Sequence, residues 1–402
     1  MSPARTPPSP AVNGHERHIK SLDGLRGVSA LLVLFHHVLL TQPDFGRFEW
    51  NSAHTRAHGL FEWLMFDTPF RILWAGQDRA ILFFVLSGFV LSLPWLHGRP
   101  RTYGRFLLNR FCRLYPPYLI VMLIAAIGVI LIGGRHIPGA SVWFNQLGWS
   151  RPLSWRAVPS AVFLLNNGSS NWLDESVWSL IWEARVVVIF PFLIWVITRW
   201  KNPGIAVILL GLASLHPLIM LLLPHHIAAA LRDTGTAMLY PEYFILGVAV
   251  ALNQNTVRSW LSRGWGIAGL GTLTLGLTMF WIQWPEQNGR ADGIAAMLIL
   301  ASALGSPVLD HALRAKFLLF LGRLSYSLYL IHVPIILAII ILFHGKVPLL
   351  ACLAAPMLCI GVAELFRRHV EAPSASLALG FAKPAAPAGA ALYPATREVV
   401  PE

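Results

Sequence analysis

Ten stretches of this chain are apolar over about the 20 residues that an α-helix needs to cross roughly 30 Å of hydrocarbon. They lie near residues 22–41, 79–97, 114–133, 176–198, 204–223, 235–253, 264–284, 291–309, 324–343 and 347–366. A bilayer interior offers no water to unpaired backbone groups, so a chain with so many such runs is driven to helices, which satisfy their own N–H and C=O groups. Composition agrees: 55% of the 402 residues are hydrophobic and 12% charged, about half the charged share of a soluble protein. The fold class this predicts is an all-α polytopic membrane protein with about ten transmembrane helices. The sixth run, interrupted by Pro241 and the charge of Glu242, and the short eighth depart most from the pattern.

Outside the runs the chain is sparse. Residues 1–19 hold four prolines and no apolar core, which reads as a disordered cytoplasmic tail and not as a signal peptide. Residues 20–370 form one transmembrane domain, and 374–402, rich in Ala, Pro and Gly, read as a disordered C-terminal tail. The loop at 134–175 carries Trp143, Trp149, Trp155 and Trp172, which fit either sugar stacking or an interface belt, and an apolar piece at 158–165 suited to a re-entrant or interfacial segment. Cys352 and Cys359, seven residues apart in an apolar run, read as packing residues. No metal site is indicated, because no His-x3-His or acidic cluster has ligand spacing.

Orientation follows from the basic residues. With the N-terminus inside, nineteen Lys and Arg fall on the inner side and ten on the outer; Arg26 and Arg185 lie within runs. The loop between the second and third runs alone holds Arg99, Arg101, Arg105, Arg110 and Arg113 without an acid. Both termini are therefore expected in the cytoplasm, with the chain in the inner (cytoplasmic) membrane. Topology and the lipid bilayer account for the net charge of +12, and nucleic-acid binding is not inferred.

The first run, KSLDGLRGVSALLVLFHHVLL at 20–40, combines chemistry with hydrophobicity. Eleven residues turn a helix through about 1100°, so Arg26 and His37 share one stripe roughly 16 Å apart along the axis, while His36 faces elsewhere. An imidazole at membrane depth is costly and marks function by default, since its neutral form accepts a proton near pH 7. A helix-packing histidine is the plain alternative.

Further motifs carry a resemblance: FFVLSGFVL at 83–91, RFCRLYPPYL at 110–119, VWSLIWEARVVVIFP at 177–191, YPEYFILG at 240–247 and LGRLSYSLYLIHVP at 321–334, in that order after the Arg26–His37 pair. Together they resemble the membrane acyltransferase family 3, without the extracytoplasmic esterase-like domain that some members append. The resemblance implies a ten-helix core and transfer of an acyl group, commonly acetyl, from cytoplasmic acyl-CoA to a hydroxyl of a saccharide or glycoconjugate. It implies His37 or His36 as the general base, spacing from Arg26 favouring His37. At Glu183-Ala184-Arg185 the chain departs from the Glu-Glu-Gln-Phe-Tyr of many members, which leaves the acceptor open.

Each remaining candidate has a functional and a plain reading. Arg26 would bind a CoA phosphate or polarise the acyl carbonyl, or else snorkel to the inner interface. Arg110 and Arg113, one turn apart, would hold the CoA phosphates, or merely set topology. Glu183 would orient His37 or bind acceptor hydroxyls and Arg185 would answer an acid on another helix, or both would join structural ion pairs. Ser87 sits beside Gly88 at a close helix approach. Tyr329 and His332, on one helix with Tyr326, would line the acyl pathway or anchor the interface. The sequence thus predicts an integral membrane O-acyltransferase, acetyl-CoA first among its donors, modifying polysaccharide or another glycoconjugate. A small-molecule or glycan transporter, and an acyltransferase of a hydroxylated metabolite such as a macrolide, are the competing readings.

Overall fold

The computed structural model describes residues 19–50, 59–74, 77–98, 102–165, 172–222, 234–282 and 289–382. Among them every regular element is a helix. The helices are α1 (Lys20–Leu39), α2 (Pro43–Trp50), α3 (Leu60–Phe66), α4 (Gln77–Leu96), α5 (Tyr103–Leu131), α6 (Val142–Leu147), α7 (Ala157–Val162), α8 (Val177–Trp200) and α9 (Asn202–Leu222). They continue with α10 (Thr234–Leu252), α11 (Gln254–Leu261), α12 (Ile267–Trp281), α13 (Gly289–Gly305), α14 (Pro307–Leu313), α15 (Lys316–Leu342), α16 (Leu349–Phe366) and α17 (Ala372–Ala382).

All ten apolar runs fall on helices, but length and composition divide them. Six helices can cross a membrane: α1, α5, α8, α9, α15, and α16 continued to Leu377. A seventh span arises if α13 and α14 count as one, although they meet at 91°. Three apolar helices are shorter, Ala80–Leu96, Ala237–Leu252 and Ile267–Trp281. The eighth run, read as one helix over 291–309, breaks because Pro307 has no N–H to continue α13; Ser306 instead caps α14 by accepting from the Leu309 amide, with proline at the first helical position.

Two helix pairs organise the bundle. α1 lies along α15, and α4 along α10. Glycine makes the first approach possible: a Cβ on Gly27 would overlap the Leu318 carbonyl oxygen, and one on Gly322 would overlap that of Asp23. Gly88 of α4 likewise meets the Phe244 carbonyl of α10. The α1 and α15 chains run in the same direction, Asp23 beside Gly322 at one end and His37 beside His332 at the other. Glu242, the charge in the sixth run, is buried and takes both oxygens to Arg290 at 2.9 Å, which explains how that helix tolerates it.

At its far end α16 passes through a π turn, Arg367–Glu371, directly into α17. Residues 374–382 are therefore helical where a tail was expected, and Ser374 donates to the Cys112 carbonyl, tying α17 to α5. The rest of the expected C-terminal tail, and the N-terminal one up to residue 18, lie outside the described residues.

Candidate functional site

A cavity of about 520 Å³ opens where the N-terminal halves of α1, α5 and α15 meet α4 and α8. Its wall carries five cations, Lys20, Arg26, Arg110, Arg113 and Arg323, and three carboxylates, Asp23, Glu183 and Glu371. Helical spacing explains the grouping: Lys20, Asp23 and Arg26 follow one another at three-residue steps on α1, as Arg110 and Arg113 do on α5, so each set shares a face. The surplus of positive charge on a concave wall is a setting for an anionic ligand.

Of the candidates read from sequence, Arg26, Arg110, Arg113, Glu183, Ser87 and Tyr329 line this cavity. Ser87 donates to Glu183 across α4 and α8 at 3.3 Å, beside the close approach at Gly88. Glu183 therefore meets Ser87, and among the described residues it makes no bond to His37. Arg185 lies outside the cavity and is exposed. Its guanidinium stacks 4.6 Å over the Trp182 ring and donates to the Leu164 carbonyl at 3.4 Å, so a partner acid on another helix is replaced by a ring and a backbone oxygen.

The histidines form a second, deeper group. His37 is 8% exposed and His332 1%, and neither lines the cavity. His37 Nδ1 lies 2.9 Å from the Val33 carbonyl and 3.2 Å from His332 Nε2, while His332 Nδ1 lies 3.0 Å from the Leu328 carbonyl. A carbonyl only accepts, so each neutral ring carries its proton on Nδ1. His332 Nε2 is then an acceptor that shares the His37 N–H, and the His37 Nε2 lone pair is left bare among the described residues. This is the tautomer a base requires. His36 packs its ring edge-to-face 5.0 Å from that of His37, while its Nδ1 donates to the Trp74 carbonyl at 2.8 Å and its ring stacks with that of Trp74.

Tryptophans close this group on the side away from the cavity. Trp143 rests 5.6 Å from the His37 ring and donates its indole N–H to Glu175. Trp74 donates to the Met65 carbonyl at 2.8 Å. Trp143, Trp149 and Trp172 are all buried, which corrects the expectation of sugar stacking or an interface belt for these three; of the four loop tryptophans, only Trp155, 76% exposed, is presented outward. The apolar piece at 158–165 contributes a short helix, α7, whose Ala161 carbonyl accepts from Tyr118 at 2.9 Å.

Several wall residues were not singled out from the sequence. Glu371 reaches the cavity because the π turn inserts an extra residue per turn at that point, and Ser327 donates to it. Arg323 of α15 and Ser179 of α8 lie within the motifs at 321–334 and 177–191, and the cavity singles them out. At the end of the loop before α8, Asp174 is fully buried; one oxygen accepts from the Ser176 amide and hydroxyl at 3.0 and 2.7 Å, and Oδ2 has no partner among the described residues. Burial pushes its carboxyl up to about 7. No group of three or more His, Cys, Asp or Glu among the described residues could hold a metal ion.

Residues 19–363 match the family model described as an acyltransferase domain. The chain is 26% identical over 340 residues to acyltransferase MdmB of Streptomyces mycarofaciens, covering 79% of each chain. It is 24% identical over 389 residues to O-acetyltransferase PaAT-1 of Phomopsis amygdali, covering 81% of this chain and 75% of that one. To O-acetyltransferase OatA of Staphylococcus aureus it is 23% identical over 385 residues, 89% of this chain but only 57% of OatA. No solved structure matches it. With the family model spanning most of its length, the chain belongs to the acyltransferase 3 family and is an acyltransferase of groups other than aminoacyl groups.

Proposed function

We propose that the protein is a ten-span membrane O-acyltransferase with both termini in the cytoplasm, moving an acetyl group from acetyl-CoA to a hydroxyl of a saccharide or glycoconjugate beyond the membrane. One observation carries the reading: a cation-lined cavity at the N-terminal end of α1 and a neutral imidazole with a bare Nε2 deeper along the same helix. The names of relatives, O-acetyltransferases among them, support the acetyl group. The cavity volume falls within the usual range for small-molecule sites, about 300–1,000 Å³.

In this mechanism Arg110, Arg113 and Arg26 bind the phosphates of CoA, and the pantetheine arm runs inward along the cavity. Planar guanidinium groups match phosphate oxygens in pairs. His37 Nε2 takes the proton of the acceptor hydroxyl as its oxygen attacks the thioester carbonyl. The C–S bond breaks and the imidazolium returns the proton to the leaving thiolate. His332 Nε2, accepting the Nδ1–H of His37, stabilises the positive ring while it lasts. Glu183, held by Ser87, is placed to accept from acceptor hydroxyls. General-base help of this kind is worth roughly 10²–10⁴ in rate.

The test uses the purified protein in liposomes with acetyl-labelled acetyl-CoA and a panel of soluble oligosaccharides and hydroxylated small molecules. Label on an oligosaccharide supports the reading. Label only on the small hydroxylated molecules transfers the acceptor to that class, and movement of an unacetylated acceptor across the bilayer identifies a transporter instead.

A further inference from the structure

Neither His37 nor His332 lines the cavity, and Tyr329 is the wall residue whose ring packs against that pair. Tyr329 lines the cavity and lies one helical turn before His332, their rings 5.9 Å apart. Its hydroxyl is held by two groups of α8 and the residue before it: the Ser179 hydroxyl at 2.6 Å and the Ser176 carbonyl at 3.0 Å. Phe83 of α4, also on the cavity wall, packs its ring 5.9 Å from the other side. The Ser176 hydroxyl in turn shares its one proton between buried Asp174 at 2.7 Å and the Tyr329 carbonyl at 3.1 Å, so the latch is held at both backbone and side chain. Trp143 packs 5.6 Å from the His37 ring, and His37 is buried.

We propose that Tyr329 determines where the acyl group goes, by separating the donor cavity from the His37–His332 pair until an acceptor displaces its ring. The inference rests on His37 being the base. Its chemical purpose is exclusion of water. If water reached His37 beside a bound acyl-CoA, its oxygen would add to the thioester carbonyl, its proton would pass through Nε2 to the leaving thiolate, and the C–S bond would break to give free acid and CoA. The donor would be consumed with nothing acylated, which closing an active site prevents. Breaking the latch requires exchanging only two hydrogen bonds, and an incoming hydroxyl can offer replacements to Ser179 and Ser176.

Two measurements on the full-length protein test this. In a His37→Cys variant, the rate of modification by a small cationic methanethiosulfonate reads access to position 37 without needing activity; the three native cysteines are subtracted with the parent protein. Adding Tyr329→Ala is expected to raise that rate about tenfold or more, while Tyr329→Phe, which keeps the ring but loses both hydroxyl bonds, gives a smaller rise. In the second, CoA release from acetyl-CoA is followed with no acceptor present. Tyr329→Ala is expected to raise it about tenfold, and the rise is expected to vanish in a His37→Ala, Tyr329→Ala double variant. Unchanged thiol access in Tyr329→Ala overturns the proposal, as does CoA release that persists in the double variant. If Tyr329→Ala does not fold, Ser179→Ala, which removes one holder of the latch, must show the same two rises in smaller measure. Raised access without any acetyl transfer by the parent protein would leave the barrier standing and remove the acyltransfer reading beneath it.

Discussion

Removing the acceptor that His332 offers to His37 should slow catalysis without loosening the fold. In His332→Leu the His37 Nδ1–H keeps its bond to the Val33 carbonyl at 2.9 Å, so no buried donor is orphaned. The Leu328 carbonyl, the partner of His332 Nδ1, lies within a continuous helix. Of the bonds made by His37, the 3.2 Å contact between the rings is the one lost. In the resting enzyme that contact joins two neutral rings and contributes little beyond the Val33 bond it shares. Once His37 holds a second proton the contact becomes a charge-assisted hydrogen bond, worth about 1.5–3 kcal/mol. At 3.2 Å the lower half of that range applies, and at about 1.4 kcal/mol per decade the loss is roughly 10- to 40-fold in kcat. The assay is label transfer from acetyl-CoA to a saturating acceptor, with the KM for acetyl-CoA and the thermal midpoint measured alongside. Because His332 does not line the cavity, KM should stay put. His332→Gln, whose amide oxygen can accept, should recover part of the rate. A kcat for His332→Leu within about twofold of the parent, at an unchanged midpoint, would refute the reasoning.

Three other outcomes follow from the packing. Arg290→Ala leaves buried Glu242 without its bidentate partner and should cost about 3 kcal/mol, whereas Glu242→Gln combined with Arg290→Met should recover most of it; thermal unfolding in detergent separates the two. Gly27→Ala drives a methyl group against the Leu318 backbone and should cost about 1–3 kcal/mol, seen as a lower midpoint, while the same change at Gly211, where a Cβ meets nothing within 4 Å, should be close to neutral. Asp174 binds a proton in the folded state up to about pH 7 that the unfolded chain releases near pH 4. Its contribution to stability is thus present at low pH and declines as pH rises through that window, so Asp174→Asn should flatten the fall in midpoint between about pH 5 and 7.5; equal slopes would contradict this.

Apolar run length was enough to place the ten runs on helices, because a bilayer leaves the backbone few alternatives, but not to tell the six helices long enough to span from the shorter or broken ones. The shared stripe of Arg26 and His37, and the one-turn step from Arg110 to Arg113, were likewise legible, since each lies within a single helix and needs only the rotation of about 100° per residue. What the sequence hid was long-range. Nothing local ties Trp143 to His37, or Trp74 to His36, because these contacts depend on loops folding back over the helix ends. Glu371 was hidden by the π turn, which shifts its direction away from the helical rhythm of about 3.6 residues per turn. The partner of Glu183 was open in the sequence for a related reason: it depends on how the helices pack, and in the structure Ser87 of α4 donates to it. The break at Ser306-Pro307 was written in plain residues, a cap followed by a proline, yet overall hydrophobicity masks it.

Acetyl transfer by His37→Ala and His36→Ala variants in liposomes, each verified for yield and thermal midpoint, tests whether His37 takes the acceptor proton. Loss of at least about 10²-fold in His37→Ala, with His36→Ala retaining substantial activity, is the predicted result. Full activity in His37→Ala, with loss in His36→Ala, would move the base to the neighbouring ring and contradict the account.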